Sequence, residues 1–247
     1  MKTVHFRFYE ELNDFLTPEK RKTRFEHHFI DRASVKDMIE SLGVPHTEID
    51  FILANGKSVD FSYLVNDGDE ISIYPVFESI DISEVQHLRA KPLREPKFVL
   101  DVHLGKLARY MRMIGLNTAY MNNSTDDELI ETSLKEKRAL LTKDRGILKR
   151  NEITHGYWIR NENTEEQLRE VVERFDLKNQ IKEFTRCLEC NLTLIEIKKE
   201  KIIERLPPKV KDWQNEFYFC EKCDKIYWKG THIDRMKNII RRIKEAG

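Results

Sequence analysis

Lys97-Phe-Val-Leu-Asp-Val-His-Leu-Gly-Lys-Leu-Ala-Arg109 is the stretch on which the reading of this chain turns. Its first part, Phe98, Val99 and Leu100, is an unbroken apolar run that ends in Asp101. Such a run suits a strand of a parallel α/β sheet, covered on both faces, and in that architecture ligands gather beyond the carboxyl ends of the strands. A second copy of the pattern follows at Ala139-Leu-Leu-Thr-Lys-Asp144. Two strands that each end in aspartate would bring two carboxylates to one edge of a sheet. Clustered hard oxygens are what a divalent cation such as magnesium requires, so a metal site is the expected centre of the protein.

The chain has 247 residues, longer than one average domain, and two or three modules are expected. Its 43 basic side chains balance 43 acidic ones, so any nucleic-acid-binding surface has to be local. No apolar run reaches the roughly 18 to 20 residues of a membrane span, and Met1-Lys-Thr-Val-His-Phe-Arg lacks the apolar core of a signal peptide. A cytoplasmic protein without membrane contact is expected. Four cysteines, all between 187 and 223 and grouped in two close pairs, favour metal ligation over disulfides in that reducing compartment.

Outward towards the amino terminus, Thr3-Val-His-Phe-Arg-Phe-Tyr9 alternates as a half-buried strand does, and Arg24–Ile30 reads as its hairpin partner. Ser34 caps a helix whose Val35, Met38, Ile39 and Leu42 share one face, and Gly43 stops it. The strand Phe51–Asn55, the Asn55-Gly56 turn and a last strand, Asp69–Val76, follow. The order strand, strand, helix, strand, strand resembles the ubiquitin-like β-grasp fold, particularly its sulfur-carrier branch. That branch acts through a terminal Gly-Gly, whereas Val76–Ser83 contains no glycine. A docking module with a protein partner is the expectation here.

Residues 84–96, with Pro92 and Pro96, read as a connector. From 97 the pattern is strand, helix, strand, helix: a helix Leu104–Ile114 closed by Gly115, a strand Thr118–Met121 and a helix from Asp126 to about Lys137. The strand Ala139–Thr142, a short helix Gly146–Arg150, the strand Gly156–Arg160 and the helix Thr164–Phe175 complete it. Such alternation implies a parallel sheet wrapped by helices. The last part holds Arg186-Cys-Leu-Glu-Cys190 and Phe219-Cys-Glu-Lys-Cys223, short strand and loop material between them, and a basic helix from about Ile233 to Glu245.

Cys187, Cys190, Cys220 and Cys223 form two Cys-x-x-Cys knuckles, able to close a tetrahedral thiolate site with no open position, which makes a structural zinc the expected ligand. A redox pair would need only one such motif, at the start of a helix after a strand. The acids carry more ordinary readings too. An aspartate after a strand is often a cap or turn residue. Asp126 could be the N-cap of its helix, or Thr125 and Glu128 could form a capping box, or Asp126 could be a third acid with Asp127 beside it. His103 reads as a surface residue or one adjoining the site. Lys106, Arg109 and Arg112 recur every three residues and read as one exposed cationic face, with Lys143, Arg145, Lys149 and Arg150 beside Asp144. Cations next to a metal site suit a phosphate backbone, and an ordinary solvated face is the alternative.

Longer motifs add a resemblance. Asp101-x-x-Leu-Gly-Lys-Leu-Ala-Arg-Tyr-Met-Arg-Met-Ile-Gly115, Asp126-x-x-Leu129, Arg138-x-Leu-Leu-Thr-Lys-Asp-Arg145, Gln167-Leu-Arg169, Arg186-Cys-x-x-Cys-Asn191 and Tyr227-Trp-x-Gly-Thr-His232 resemble the Mut-seven carboxyl-terminal RNase family. The likeness spans roughly residues 97–236. It implies a PIN-like nuclease domain fused to a zinc ribbon, with a ubiquitin-like domain in front in some members. It further implies a metal-dependent ribonuclease whose acids map onto Asp101, Asp126 and Asp144. PIN nucleases often use a fourth acid, and Arg145–Arg150 supplies none, which leaves Glu165 or Glu166 as substitutes.

The expected architecture is therefore an α/β chain. A β-grasp domain at 1–83 and a linker at 84–96 precede a PIN-like parallel sheet with flanking helices at 97–180, and a zinc ribbon with a basic helix occupies 181–247. The expected function is hydrolysis of RNA phosphodiester bonds through magnesium or manganese held by Asp101, Asp126 and Asp144. Lys106, Arg109, Arg112, Lys143 and Arg145 would hold the substrate, and Tyr227 and Trp228 would either stack on bases or pack against the ribbon. The rival readings are a non-catalytic RNA-binding or ribosome-associated protein and a sulfur-carrier-like adaptor.

Overall fold

Period-two alternation at the amino terminus makes β1 (Lys2–Phe8), whose Val4, Phe6 and Phe8 point into a core while Arg7 faces solvent. A computed structural model of the protein describes residues 1–75 and 96–245, with residues 231–235 as backbone only. The expected connector 84–96 lies, apart from Pro96, outside the described residues, as does the tail 76–83. Two compact units form: Met1–Glu95 with Ser133–Trp158, and Pro96–Thr132 with Ile159–Gly247. Residues 133–158, expected to group with 97–180, thus share a unit with the amino-terminal module.

In the first unit β1 pairs antiparallel with β2 (Phe25–Phe29), and α1 (Val35–Ser41) follows. The strands β3 (Ile49–Ala54), β4 (Lys57–Ser58) and β5 (Glu70–Pro75) complete a sheet in the order β2-β1-β5-β3-β4, in which only β1 and β5 run parallel. This is the β-grasp arrangement expected from the sequence. Ser34 caps α1, its hydroxyl accepting from the Asp37 backbone N–H at 3.1 Å and donating to the Asp37 carboxylate at 2.6 Å. Asn55 and Gly56 both take positive φ, 50° and 78°, as a two-residue hairpin turn demands. Val4, Phe6, Phe8, Leu12, Val35, Ile39, Ile52 and Ile73 fill the core, and Trp158 packs against it. Burying a side chain of this size contributes about 1.5–3 kcal/mol.

Two strands that sequence assigned to the nuclease-like part also belong to this unit. They are β8 (Arg138–Thr142), buried at every position, and β9 (Gly156–Trp158), and they pair in parallel from Leu140↔Gly156 to Thr142↔Trp158.

The second unit holds β6 (Lys97–Leu100) and β7 (Thr118–Tyr120), also parallel, from Phe98↔Thr118 to Leu100↔Tyr120. Between them α2 (Gly105–Met113) buries Leu107, Ala108 and Met111. Gly115, at φ 90°, ends it in the left-handed conformation that glycine adopts without strain. The helix α3 (Asp126–Glu136), whose residues from Ser133 on fall in the first unit, opens on a capping box, one of the alternatives read from the sequence, with Thr125 N–H donating to the Glu128 carboxylate at 2.8 Å and Glu128 N–H donating to the Thr125 hydroxyl at 3.3 Å. The helix α4 (Thr164–Arg174), capped by Asn163, packs on α2. A ribbon of β10 (Ile195–Glu196), β11 (Phe217–Cys220) and β12 (Lys225–Trp228) is antiparallel throughout. The short α5 (Pro208–Trp213) sits within it in sequence, and α6 (Thr231–Glu245) packs Ile239, Ile240 and Ile243 inward and meets α4. Among the described residues no helix is long and apolar enough to cross a membrane.

Candidate functional site

The cysteines give the tightest geometry. Cys187 and Cys190 stand on the loop before β10, Cys220 ends β11, and Cys223 lies on the turn between β11 and β12. Each knuckle closes on a short polar residue with positive φ, Asn191 at 71° and Asp224 at 55°, the residue types that visit this region most readily. The chain can thereby turn back while backbone N–H groups face sulfur, as in Cys223 N–H to Cys220 Sγ at 3.4 Å. All four Sγ atoms lie within 4.8 Å of one another, with Cys190 and Cys220 3.4 Å apart. Sulfurs bound tetrahedrally at about 2.3 Å would sit at comparable separations, so the donor set fits a metal ion such as zinc.

The thiols also act as one electrostatic group. Burial pushes Cys187 up, but hydrogen bonds from the Tyr227 hydroxyl, at 3.2 Å, and from the backbone N–H groups of Cys190 and Glu189 outweigh it and bring the group down to about 6. The neighbouring Cys190 sulfur, then burial, push Cys223 up to about 12, and burial raises Cys220. A divalent cation bound by these sulfurs would favour the thiolate form against the burial that raises Cys220 and Cys223. Tyr227 therefore belongs to the ribbon, and Trp228 packs beside Phe217 with ring centroids 6.4 Å apart. Both aromatics thus have partners within the ribbon.

Arg112 departs from its expected place. It is buried, at 3% exposure, and its guanidinium donates to the carbonyl oxygens of Thr118 at 2.9 Å, Leu188 at 3.0 Å and Glu189 at 2.7 Å. The expected row Lys106, Arg109, Arg112 is not one exposed face, because each three-residue step turns about 60° short of a full circle and two steps carry Arg112 round towards Ala108 and Met111. Arg112 joins α2 to the first knuckle. Asn191 reinforces the joint by accepting from Thr118 N–H at 2.9 Å and donating to the Asn117 amide oxygen at 2.8 Å. The sequence signal for this role was the position of Arg112 at the margin of the apolar arc of α2. Lys106 and Arg109 remain exposed, with Arg109 bridging to Glu189 at 3.0 Å. Together with Tyr120, Met121, Asn122 and Asn123 they line an open pocket of about 690 Å³.

Among the described residues the cysteines form the one group of three or more donors close enough to hold a metal ion, and the acids stand outside it. Asp101, 6% exposed, ends β6, and its Oδ1 accepts from His103 N–H at 3.1 Å. Asp126 is the first residue of α3 and is exposed, so the capping role falls to Thr125 and not to it. Asp127 is exposed beside it. In the other unit Asp144 follows β8 and is exposed; its N–H donates to the Thr142 hydroxyl at 2.8 Å and its Oδ1 accepts from Gly146 N–H at 2.6 Å. Glu165 pairs with Arg242 of α6, and Glu166 pairs with Arg169. His103 is exposed.

A β-grasp sheet, parallel strands of which β6 and β8 lead to Asp101 and Asp144, and a ribbon with four clustered cysteines make an α/β protein with a group that could hold a metal ion. The family model of the Mut7-C RNAse domain matches residues 96–240 and that of the Mut7-C ubiquitin domain matches residues 1–81, and the chain belongs to this family. No curated protein and no solved structure matches it.

Proposed function

We propose that the protein is a metal-dependent ribonuclease that hydrolyses RNA phosphodiester bonds. The observation that carries this reading is the RNAse-domain match across 96–240, with Asp101 buried at the end of a parallel strand inside it. In this reading Asp101, Asp126 and Asp144 hold magnesium or manganese, whose preference for hard carboxylate oxygens suits that donor set. Such a cation lowers the pKa of a bound water and offsets the charge that develops as the phosphodiester is cut. Asp127 is a further candidate donor beside Asp126, and Glu165 and Glu166 pair with arginines. Lys106 and Arg109, exposed on α2, steady the phosphate backbone, and the Asn122 and Asn123 amides in the same pocket offer donors and acceptors to unstacked bases. Lys143 and Arg145 adjoin Asp144 in sequence and add positive charge to its turn.

The four cysteines hold a structural zinc. None of the four is in a disulfide, so all four sulfurs are available to a metal. The test is incubation of purified protein with labelled structured and unstructured RNAs, with and without manganese. Manganese-dependent shortening of RNA is expected; RNA that is bound and left intact would support the non-catalytic alternative.

A further inference from the structure

The amino-terminal module and the segment that carries Asp144 form one unit, and Trp158 is where they meet. Trp158 ends β9 and packs against the β-grasp core. Its ring centroid lies 5.1 Å from that of Phe15. Its backbone N–H donates to the Glu48 carboxylate at 2.7 Å, and Glu48 has no exposed surface. A buried carboxylate is costly without polar partners, so this bond fixes where the end of β9 sits on the module.

On its other side Trp158 holds both neighbours of Asp144. The indole N–H donates to the Lys143 carbonyl at 3.2 Å, and the Arg145 guanidinium lies 3.8 Å from the indole centroid and 5.1 Å from that of Phe15. Cation–π contacts at such distances contribute about 0.5–2 kcal/mol. Further along, Lys149 Nζ donates to the Glu40 carbonyl at 2.8 Å and Lys36 Nζ to the Asn151 amide oxygen at 2.6 Å. The buried His46 lies between the Glu40 carboxylate, 2.6 Å from Nδ1, and the Ile153 carbonyl, 2.9 Å from Nε2.

We infer that the ubiquitin-like module is a fixed brace for the Asp144 turn. Phe15 and Glu48 seat Trp158, and Trp158 holds Lys143 and Arg145, so the position of the Asp144 carboxylate is set from the amino-terminal domain. Trp158, Phe15 and Glu48 are positioning residues. The consequence for chemistry rests on the reading of Asp144 as a metal ligand. A module that only recruits partners would not need buried polar bonds to the turn beside an acid.

Trp158→Phe tests this in the full chain, because it keeps a ring beneath Arg145 and removes the bond to the Lys143 carbonyl. Three quantities are read: amide hydrogen exchange across residues 142–146, Mn²⁺ affinity by electron paramagnetic resonance, and kcat against KM for RNA. Faster exchange in that turn is expected, with Mn²⁺ affinity lowered about tenfold, the order seen when groups that orient metal ligands are changed. The RNA KM should stay unchanged while kcat falls at limiting Mn²⁺ and recovers at excess. Phe15→Leu and Glu48→Gln should move the same readouts in the same direction and stand in if Trp158→Phe does not fold. Parental exchange in the turn would overturn the brace. Faster exchange with parental Mn²⁺ affinity would overturn its link to the metal. A parent protein that takes up no Mn²⁺ and leaves RNA intact would instead sink the nuclease reading, and exchange alone would then decide the brace.

Discussion

Arg112 ties two segments of the second unit together through one buried side chain. Its guanidinium, whose pKa burial holds below the usual arginine value, satisfies three carbonyls from two different segments. Arg112→Met would keep most of the volume and leave those oxygens without their donor. A loss of about 3 kcal/mol is expected, because unsatisfied buried acceptors forfeit charge-assisted hydrogen bonds. Thermal unfolding would check it, and a variant as stable as the parent would return Arg112 to a surface role. The sequence showed that this arginine follows an apolar arc, yet two of its three acceptors lie 76 and 77 residues away, where no local periodicity reaches. The same limit hid Trp158 and Glu48, which are 110 residues apart. The acids were legible because strand-end and helix-start positions are local, and so was the Thr125–Glu128 capping box.

At the scale of elements, two devices hold the second unit together. Gly115 ends α2 at a φ of 90°, and a Cβ there would stand 2.3 Å from the Lys182 carbonyl oxygen. Gly115→Ala is therefore expected to cost at least roughly 2 kcal/mol from backbone strain and clash, read as a lowered denaturation midpoint. The other device is the pair of knuckles. Metal binding to closed thiolate sites is worth roughly 10–16 kcal/mol of apparent free energy in small peptides, while the ribbon's own apolar cluster is only Ile202, Leu206, Val210 and Phe217. Cys220→Ser should thus release one zinc per chain, seen by elemental analysis, and expose residues 186–232 to limited proteolysis. A Cys220→Ser protein with parental resistance would contradict the structural-zinc reading. Most elements were legible, since Gly43, Gly56, Gly115 and the cysteine spacing are strong punctuation. The strands of the ribbon were visible only as material for strands, because two- and four-residue strands leave too short a pattern to bound.

At the scale of the molecule, the RNAse-domain match spans 96–240 in one stretch, while the compact units divide that stretch and group Ser133–Trp158 with the amino-terminal module. Linear composition cannot report this, for β8 and β9 read as ordinary buried strands of the nuclease-like part. The balance of 43 basic and 43 acidic residues leaves RNA affinity to local cations. Replacing Lys106 and Arg109 together by Ala should weaken RNA binding and flatten its salt dependence by about two phosphate contacts. An unchanged slope would leave both as solvated surface.

The central claim is that the family's RNase domain is catalytic here through a carboxylate-held metal. Asp101→Asn tests it most directly, because the substitution removes the charge at the end of β6 with almost no change in shape. The measurement is manganese-dependent cleavage of labelled RNA by parent and variant side by side, with RNA affinity and thermal stability measured on the same samples. Loss of cleavage at retained affinity and fold is the predicted result, and cleavage by Asp101→Asn at the parental rate would contradict the account.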